Sequence, residues 1–426
     1  MRVWLVTTGE PLPIDEDGVR LLRAGILSNM LAQRGHDVVW WTSTFDHRRK
    51  RHRADSDARV VLDNGVDIRM LHGCGYRRNV SLHRVLDHIL VAKYFVRAVK
   101  SEPKPDIILC SLPTLELSVA TVRYAKAVGV PAVIDIRDLW PDLFEEFVPI
   151  WARRALRPLL FPMRWQARLA CQRATAITGN APDMVDWGLK MANRSAGPLD
   201  RYFPFGYVTK SLSEEQRNQA LFFWTEHGII PKKDEFTVCY FGVFGPHHEF
   251  ETVIEAARIL ENAGESFRFV LCGTGERFEC IKTQATRLKS VYLPGWVGVP
   301  EMRTLMEISK VGLAPFRSNV GYTGNMPNKP VEYLSAGLPI VSTLQGYLRT
   351  FLNTHDCGIT CANGDAAGLA QALSALAANQ TRLNRMSDNA RKVFAEYFDA
   401  EKAYGGMIDY LMEVTTNFGK KGNSEV

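Results

Sequence analysis

Residues 322–341 read YTGNMPNKPVEYLSAGLPIV. A polar loop runs into Pro327, a short helix follows, Gly337-Leu338-Pro339 stops it, and an apolar run begins at once. Loop, helix, glycine stop and buried strand in such close order is how one repeat of a parallel α/β sheet is written. The helix carries Lys329 and Glu332 on its first turn. An acid there agrees with the positive end of the helix dipole, whereas a lysine opposes it. The lysine makes sense if the partner is an anion: Lys329 with Asn328 and the loop amides would cradle a diphosphate, and Glu332 would accept hydrogen bonds from ribose hydroxyls. A surface cap with no ligand is the competing reading.

Upstream, the same alternation continues. Apolar runs at 236–243, 267–273, 291–297, 311–316 and 338–344, with a short sixth at 358–361, read as strands. The first ends in Gly242 and Gly245 ahead of a helix near 249–260, and the second in Gly273 and Gly275. Glycines at such turns let backbone N–H groups approach a phosphate. The dinucleotide fingerprint is incomplete because Phe278 stands at its third glycine, which argues against a dehydrogenase. Earlier in the chain a second set of runs appears, at 2–8, 37–43, 66–72, 106–112, 131–137 and 174–179. A helix over 19–34, stopped by Gly35, joins the first two. A polar segment, 210–235, separates the sets, and the tail from 386 to 413 reads as helix. The expectation is an α/β protein of two doubly wound Rossmann-like domains, 1–205 and 206–426, with ligands at the carboxyl ends of the strands and in a central cleft.

Length and composition agree with this. At 426 residues, 46% hydrophobic and 23% charged, the chain can bury two cores and is not a disordered or disulfide-stapled protein. No apolar run approaches a membrane span, and the opening MRVWLVTTGEPLPIDEDG reaches acids and prolines too soon for a signal peptide, so a cytoplasmic protein is expected. The eight cysteines are scattered, as reduced thiols are, and Cys357 and Cys361 are too loosely spaced for zinc. Two acidic triplets, 15–17 and 55–57, follow no apolar run and read as loop acids, so no metal is expected.

The net charge of +6 divides unevenly. Residues 1–205 hold 30 Lys+Arg against 22 Asp+Glu, or +8, and the remainder 22 against 24, or −2. Two basic clusters lie in the first part. The run 47–53 suits a lipid-facing loop, a funnel for an anionic substrate, or no function at all. The stretch 147–182 has six arginines and no acid. Its Trp151, Arg153, Arg154, Arg157, Arg164 and Trp165 mix charge and aromatic surface as an anionic lipid interface requires, with Pro158 and Pro162 expected to break it into short helices. A solvated arginine-rich surface is the plain alternative. Nucleic acid is not expected, because no stacking platform or reading-helix motif accompanies the basic runs.

Taken together, the glycine turns, Pro-Gly-Trp-Val at 294–297 and above all Pro-Asn-Lys-Pro-Val-Glu-Tyr-Leu-Ser-Ala-Gly-Leu-Pro at 327–339 resemble glycosyltransferase family 4, retaining enzymes of the GT-B fold. Asp-Ile-Arg-Asp-Leu-Trp-Pro-Asp at 135–142 and Arg-Gly-His-Asp-Val at 34–38 are similar to the branch that builds bacterial lipopolysaccharide O-antigen or capsule. The resemblance implies a hexosyl- or N-acetylhexosaminyltransferase that moves a sugar from a UDP- or GDP-sugar to a lipid-linked or saccharide acceptor, with no cofactor or metal, at the cytoplasmic face of the inner membrane. The first domain would bind the acceptor and the second the nucleotide sugar, and the C-terminal helix, from about 397, could return to the first domain. By position, Glu332 holds the donor ribose, Gly242 and Gly245 lie beneath the diphosphate, and Gly273, Gly275 and Val297 surround the nucleoside. Asp138 stands against the donor sugar, which with Lys329 makes the candidate catalytic pair, and Gly9, Gly18 and Arg20 form the loop closing over the phosphates. Two features depart from the family: Gly324 replaces the first glutamate of the Glu-x7-Glu motif, and His247 and His248 stand where an Arg and Lys pair is common. A nucleotide-sugar epimerase of the same fold and a non-catalytic binder of anionic membranes remain the alternatives.

Overall fold

The computed structural model describes residues 1–15, 20–209, 211–230 and 235–424. The chain divides into two compact units, Met1–Pro204 with Ala403–Val426, and Phe205–Lys402.

In the first unit, ten strands are β1 (Arg2–Val6), β2 (Asp37–Ser43), β3 (Phe45–Asp46), β4 (Arg51–His52), β5 (Ala58–Val61), β6 (Asp67–Leu71), β7 (Ile107–Leu112), β8 (Ala132–Ile136), β9 (Ala176–Gly179) and β10 (Arg201–Tyr202). Eight form one sheet in the order β10-β9-β8-β7-β1-β2-β6-β5, parallel except for β5. β7 and β8 are buried at every residue, which is why they read as unbroken apolar runs: helices cover both sheet faces. The helices are α1 (Arg23–Gln33), α2 (Leu82–Ala98), α3 (Leu115–Val128), α4 (Arg153–Arg173) and α5 (Pro182–Ala192). Strand order reverses at β1, between β2 and β7, so the loops leaving these strands diverge and open a crevice.

The bounds of two helices, α1 and α4, differ from expectation. α1 begins at Arg23, where the Glu10 carboxylate accepts the Ala24 amide at 2.9 Å. The basic run 47–53 is the turn and second strand of the β3–β4 hairpin, held by Asp46, which accepts from the amides of Arg48 at 2.8 Å and Arg49 at 3.2 Å. α4 does not break at Pro158 and Pro162 but runs through both. The prolines are four residues apart on the exposed side, so the carbonyls of Arg154 and Pro158 that they leave unbonded meet water.

The second unit holds β11 (Phe236–Val243), β12 (Phe267–Thr274), β13 (Val291–Gly295), β14 (Val311–Ala314), β15 (Ile340–Ser342) and β16 (Gly358–Thr360) in the parallel order β13-β12-β11-β14-β15-β16. One core cluster packs Tyr333, Met326 and Phe241, and another packs Phe244, Phe250 and Leu271. The segment read as polar, 210–235, contains the helix Glu214–Glu226, started by a Ser213/Gln216 capping box and pinned by buried Trp224. The helical tail is Gln380–Val393, one π turn over Phe394–Phe398, and Ala400–Ser424. Among the described residues no helix is long and apolar enough to cross a membrane.

Candidate functional site

In the second unit, parallel pairing places Gly242 beside Gly273 and Val243 beside Thr274 at the carboxyl ends of β11 and β12. The two turns touch backbone to backbone. A Cβ on Gly273 (φ +140°) would stand 1.7 Å from the Gly242 carbonyl oxygen, and one on Gly242 (φ +148°) 2.1 Å from Lys329 Cε and 2.3 Å from its Nζ. The Lys329 ammonium therefore lies across Gly242, and glycine is what lets it. Gly275 is crowded by the Phe244 carbonyl oxygen, 2.6 Å from a would-be Cβ, whereas the nearest atom to one on Gly245 is 3.8 Å away. Gly273 and Gly275 thus serve the packing of the turns, and Gly245 has open space beside it. Val297, past the end of β13, packs partly buried against the core beside exposed Trp296.

Asn328 and Lys329 are the first two residues of the helix Asn328–Ser335. Glu332 is its fifth, one position beyond the first turn, and is 1% exposed, so it is not a surface cap. Lys329 Nζ lies 5.8 Å from the centre of the Tyr240 ring, whose hydroxyl donates to the Val243 carbonyl at 2.9 Å. His248, buried beside this turn, is pushed down to about 4 by burial and then by the Lys329 charge. It is neutral at physiological pH. The structure thus gathers Gly242, Gly273, Gly275, Asn328, Lys329 and Glu332 at one end of one sheet, where an ammonium and the start of a helix lie together.

The first unit has a cavity of ≈ 200 Å³ at the crevice beside β1. The loop after β1 supplies Gly9 and Glu10, the loop after β7 Pro113 and Thr114, and the end of β8 Arg137 and Asp138. The hairpin contributes His47, and the inner face of α2 adds Arg84, Asp87 and His88. Of the Asp-Ile-Arg-Asp signature, two members are structural. The Asp135 carboxylate binds Arg23 at 3.1 Å, Arg137 at 2.9 Å and Thr178 Oγ1 at 3.0 Å, and Arg137 also pairs with Glu10. Asp138 instead keeps an open face to the cavity although protein surrounds it. Burial pushes its pKa up to about 6 against the pull of Arg137 and Arg84. A carboxyl so placed can exchange a proton near neutrality.

Around Asp138, the Tyr76 hydroxyl and His47 Nδ1 are 2.6 Å apart, and Asp87 accepts the Gly75 amide at 2.8 Å. Arg84 lies over the rings of Trp140 at 4.6 Å and Tyr76 at 5.5 Å. Burial lowers His47 to about 4 and His88 to about 3, in both cases helped by Arg84, so both imidazoles are neutral, and His88 makes no ion pair with Glu116 at 3.8 Å. Tyr76, Arg84, Asp87 and His88 were not singled out from sequence. The signal was the i, i+3, i+4 set 84-87-88, polar residues on a helix face that continues as Val91 and Phe95.

Gly9 (φ +81°) and Asp138 share this cavity, Arg20 is half-buried ahead of α1, and Gly18 lies outside the described residues. On α4, Arg164 is tied to Asp142 at 2.9 Å and Glu145 at 2.7 Å, and Arg157 approaches Glu145 at 3.5 Å. Trp151 and Trp165 are exposed, Arg154 is exposed and Arg153 half-buried.

Family comparisons match residues 22–194 to the glycosyl transferase 4-like domain and residues 223–393 to glycosyl transferases group 1. A putative colanic acid biosynthesis glycosyltransferase, WcaL of Escherichia coli, is 31% identical over 128 residues, 29% of this chain and 31% of that protein. The matched stretches span about a third of the length of the curated relatives. Among solved structures, sucrose-phosphate synthase of Thermosynechococcus elongatus superposes with a TM-score of 0.72 at 15% identity, covering 98% of this chain and 99% of that one. Anabaena HepE in complex with UDP gives 0.64 at 15% identity, covering 97% and 99%. With two parallel sheets, each carrying its candidate residues at the strand ends, and both family models matched in order along it, the chain belongs to the family 4 glycosyltransferases of the GT-B fold.

Proposed function

We propose that the protein is a retaining glycosyltransferase that moves a sugar from a nucleotide diphosphate donor, UDP or GDP, to a lipid-linked or saccharide acceptor in lipopolysaccharide O-antigen or capsule synthesis, of the hexosyl or N-acetylhexosaminyl type. The observation that carries this reading is the Lys329 ammonium lying across Gly242 where the two glycine turns meet. The barrier in such a reaction is departure of the diphosphate from an oxocarbenium-like centre, so a cation fixed at the leaving group is the main thing a protein can supply. Lys329 and the amides opening the helix at Asn328 provide it without a metal. Glu332 takes the ribose, as an acceptor-only group beside two hydroxyl donors. In a front-face displacement the departing phosphate oxygen takes the acceptor's proton, and Asp138 orients the sugar or steadies its charge. HepE, a protein of this fold, binds UDP, which favours the same class of donor. The basic, aromatic exposed side of the first unit fits a peripheral place at the cytoplasmic face of the inner membrane.

The test is to incubate the purified protein with a panel of nucleotide sugars and a polyprenyl-diphosphate-linked acceptor. A longer glycolipid with retained anomeric configuration is expected. Sugar epimerised with no acceptor present would point to an epimerase, and neither turnover nor donor-dependent thermal stabilisation would point to a non-catalytic binder.

A further inference from the structure

The turn of the β3–β4 hairpin and the first turn of α2 bring two cations together and give neither an acid of its own. Lys50 and Arg84 are both half-buried, and among the described residues neither makes an ion pair. Both lie over the Tyr76 ring, Lys50 Nζ at 4.9 Å and Arg84 at 5.5 Å from its centre. Both also hold Asn79: the ammonium donates to its Oδ1, and Arg84 Nη1 donates to its carbonyl at 2.8 Å. The acids nearby are engaged elsewhere, Asp46 with Arg53 at 3.6 Å and Asp87 with the Gly75 amide. Like charges so held repel, and burial and then the Arg84 charge lower the Lys50 pKa. Lys50 also adopts φ +55°, a left-handed conformation that a side chain disfavours. Two unpaired cations kept side by side against these costs call for an anion that the chain itself does not supply.

His47, which lines the cavity beside them, adds a donor. An ammonium can only donate, so His47 Nδ1, 3.3 Å from Lys50 Nζ and 2.6 Å from the Tyr76 hydroxyl, accepts. In the neutral ring the proton is then on Nε2.

Charge selects the anion. Arg23 and Arg137 are balanced by Asp135 and Glu10. What remains around the cavity is Lys50 and Arg84 against Asp87 and Asp138, the last only partly ionised near pH 6. The excess is at most one positive charge, which matches a carboxylate and not a doubly charged phosphate. The cavity, ≈ 200 Å³, is smaller than the roughly 300–1,000 Å³ of drug-sized ligand sites, so that carboxylate arrives on a group of about one sugar ring.

We propose that Lys50, Arg84 and the Nε2–H of His47 bind the carboxylate of an acidic sugar, a uronide, and so select it as the acceptor. Its role as acceptor rests on the glycosyl-transfer reading above; the carboxylate site does not.

The experiment titrates the full chain calorimetrically with methyl glucuronide and methyl galacturonide, with the matching neutral glucoside and galactoside, and with glucose 6-phosphate. At least one uronide is expected to bind about tenfold or more tightly than its neutral counterpart. Arg84→Gln and, separately, Lys50→Gln should each bring that ratio down toward one. Lys50 sits at a hairpin turn, so its variant keeps the test sound if Arg84→Gln fails to fold. Uronides that bind no better than neutral glycosides, a ratio that survives both substitutions, or tighter binding of the phosphate would each overturn the site. Uronide binding with no transfer from any nucleotide sugar would leave the site standing and sink the glycosyl-transfer reading. Transfer to neutral glycosides with no preference for uronides would do the reverse.

Discussion

At the level of single residues, one ammonium stands apart from the helix that carries it. Lys329 stands at a helix start, where the dipole disfavours a cation, and its Nζ is laid against a backbone that only glycine permits. Lys329→Ala is expected to lower kcat by about tenfold to a hundredfold through lost leaving-group stabilisation, with a smaller effect on donor KM. A near-normal kcat in steady-state assays would remove it from the chemistry. Asp138 is tested by pH. Its carboxyl titrates at about 6 in the folded chain against 3.8 as its ordinary value. Below that ordinary value both states are protonated and the group contributes nothing. As pH rises toward 6 the unfolded chain ionises first, and above 6 the penalty on the folded state is complete. Asp138→Asn should therefore stabilise the protein above neutrality by about 1 kcal/mol, the shift being discounted for water in the cavity, and leave its melting temperature unchanged at strongly acid pH. A stabilisation of equal size at both pH extremes would show that the carboxyl does not carry the raised pKa. Gly242, Gly245, Gly273 and Gly275 were legible because they close two apolar runs, and Lys329 and Glu332 because they stand three apart in one short segment; the cavity's Tyr76, Arg84, Asp87 and His88 were not, because folding alone brings them to Asp138.

Among the elements, apolar runs located every strand of the two parallel sheets apart from the short edge pieces. Burial on both faces writes such strands as unbroken hydrophobic sequence. β5 escaped because it is half-exposed, and β3 and β4 because a basic run conceals a hairpin whose register depends on one buried carboxylate, Asp46. α4 escaped for a different reason. Local propensity says that two prolines end a helix, but the cost falls where water can take up the orphaned carbonyls, and Ala167, Ala170 and Cys171 bury the helix's other side. Pro158→Ala restores an amide able to bond the Arg154 carbonyl. It is expected to raise the stability of the protein by about 1 kcal/mol, less than the roughly 3 kcal/mol of an interior proline because hydration already offsets part of the loss. The melting temperature would rise by about 2–4 °C. An unchanged or lower value in thermal circular dichroism would mean that the proline contributes through the unfolded chain instead.

For the molecule as a whole, the informative fact is that the end of the chain belongs with its beginning: Ala403–Val426 is part of the first unit. Nothing in the tail's own sequence names its partner, because the contacts join residues hundreds apart. Arg34 meets Asp409 at 2.9 Å, Arg201 meets Glu413 at 2.8 Å, and the Tyr410 hydroxyl donates to the Leu199 carbonyl at 2.8 Å. Those two ion pairs are exposed, so each contributes under about 1 kcal/mol. Arg23 is different. It is buried, pairs with buried Asp135 at 3.1 Å, approaches Met407 Sδ at 3.9 Å and lies over the Tyr404 ring at 5.9 Å. One guanidinium thus ties α1, β8 and the last helix together. Burial would raise the Asp135 pKa, but Arg23 and Arg137 outweigh it and hold the carboxyl below its ordinary value. The sign follows: this stability is present above the unfolded carboxylate's pKa and is lost as pH falls through the lower folded value. Removing Arg23 strands a buried carboxylate, so Arg23→Ala should cost about 3–5 kcal/mol, while Arg34→Ala and Arg201→Ala cost less than about 1 each. It should also move the acid-unfolding transition to higher pH, because Asp135 loses the first of the charges that depress it. Urea denaturation at neutral and acid pH reads both effects; equal costs for the three arginines would show that the last helix is held by its apolar face, Met407, Ile408 and Leu411, and not by the buried pair.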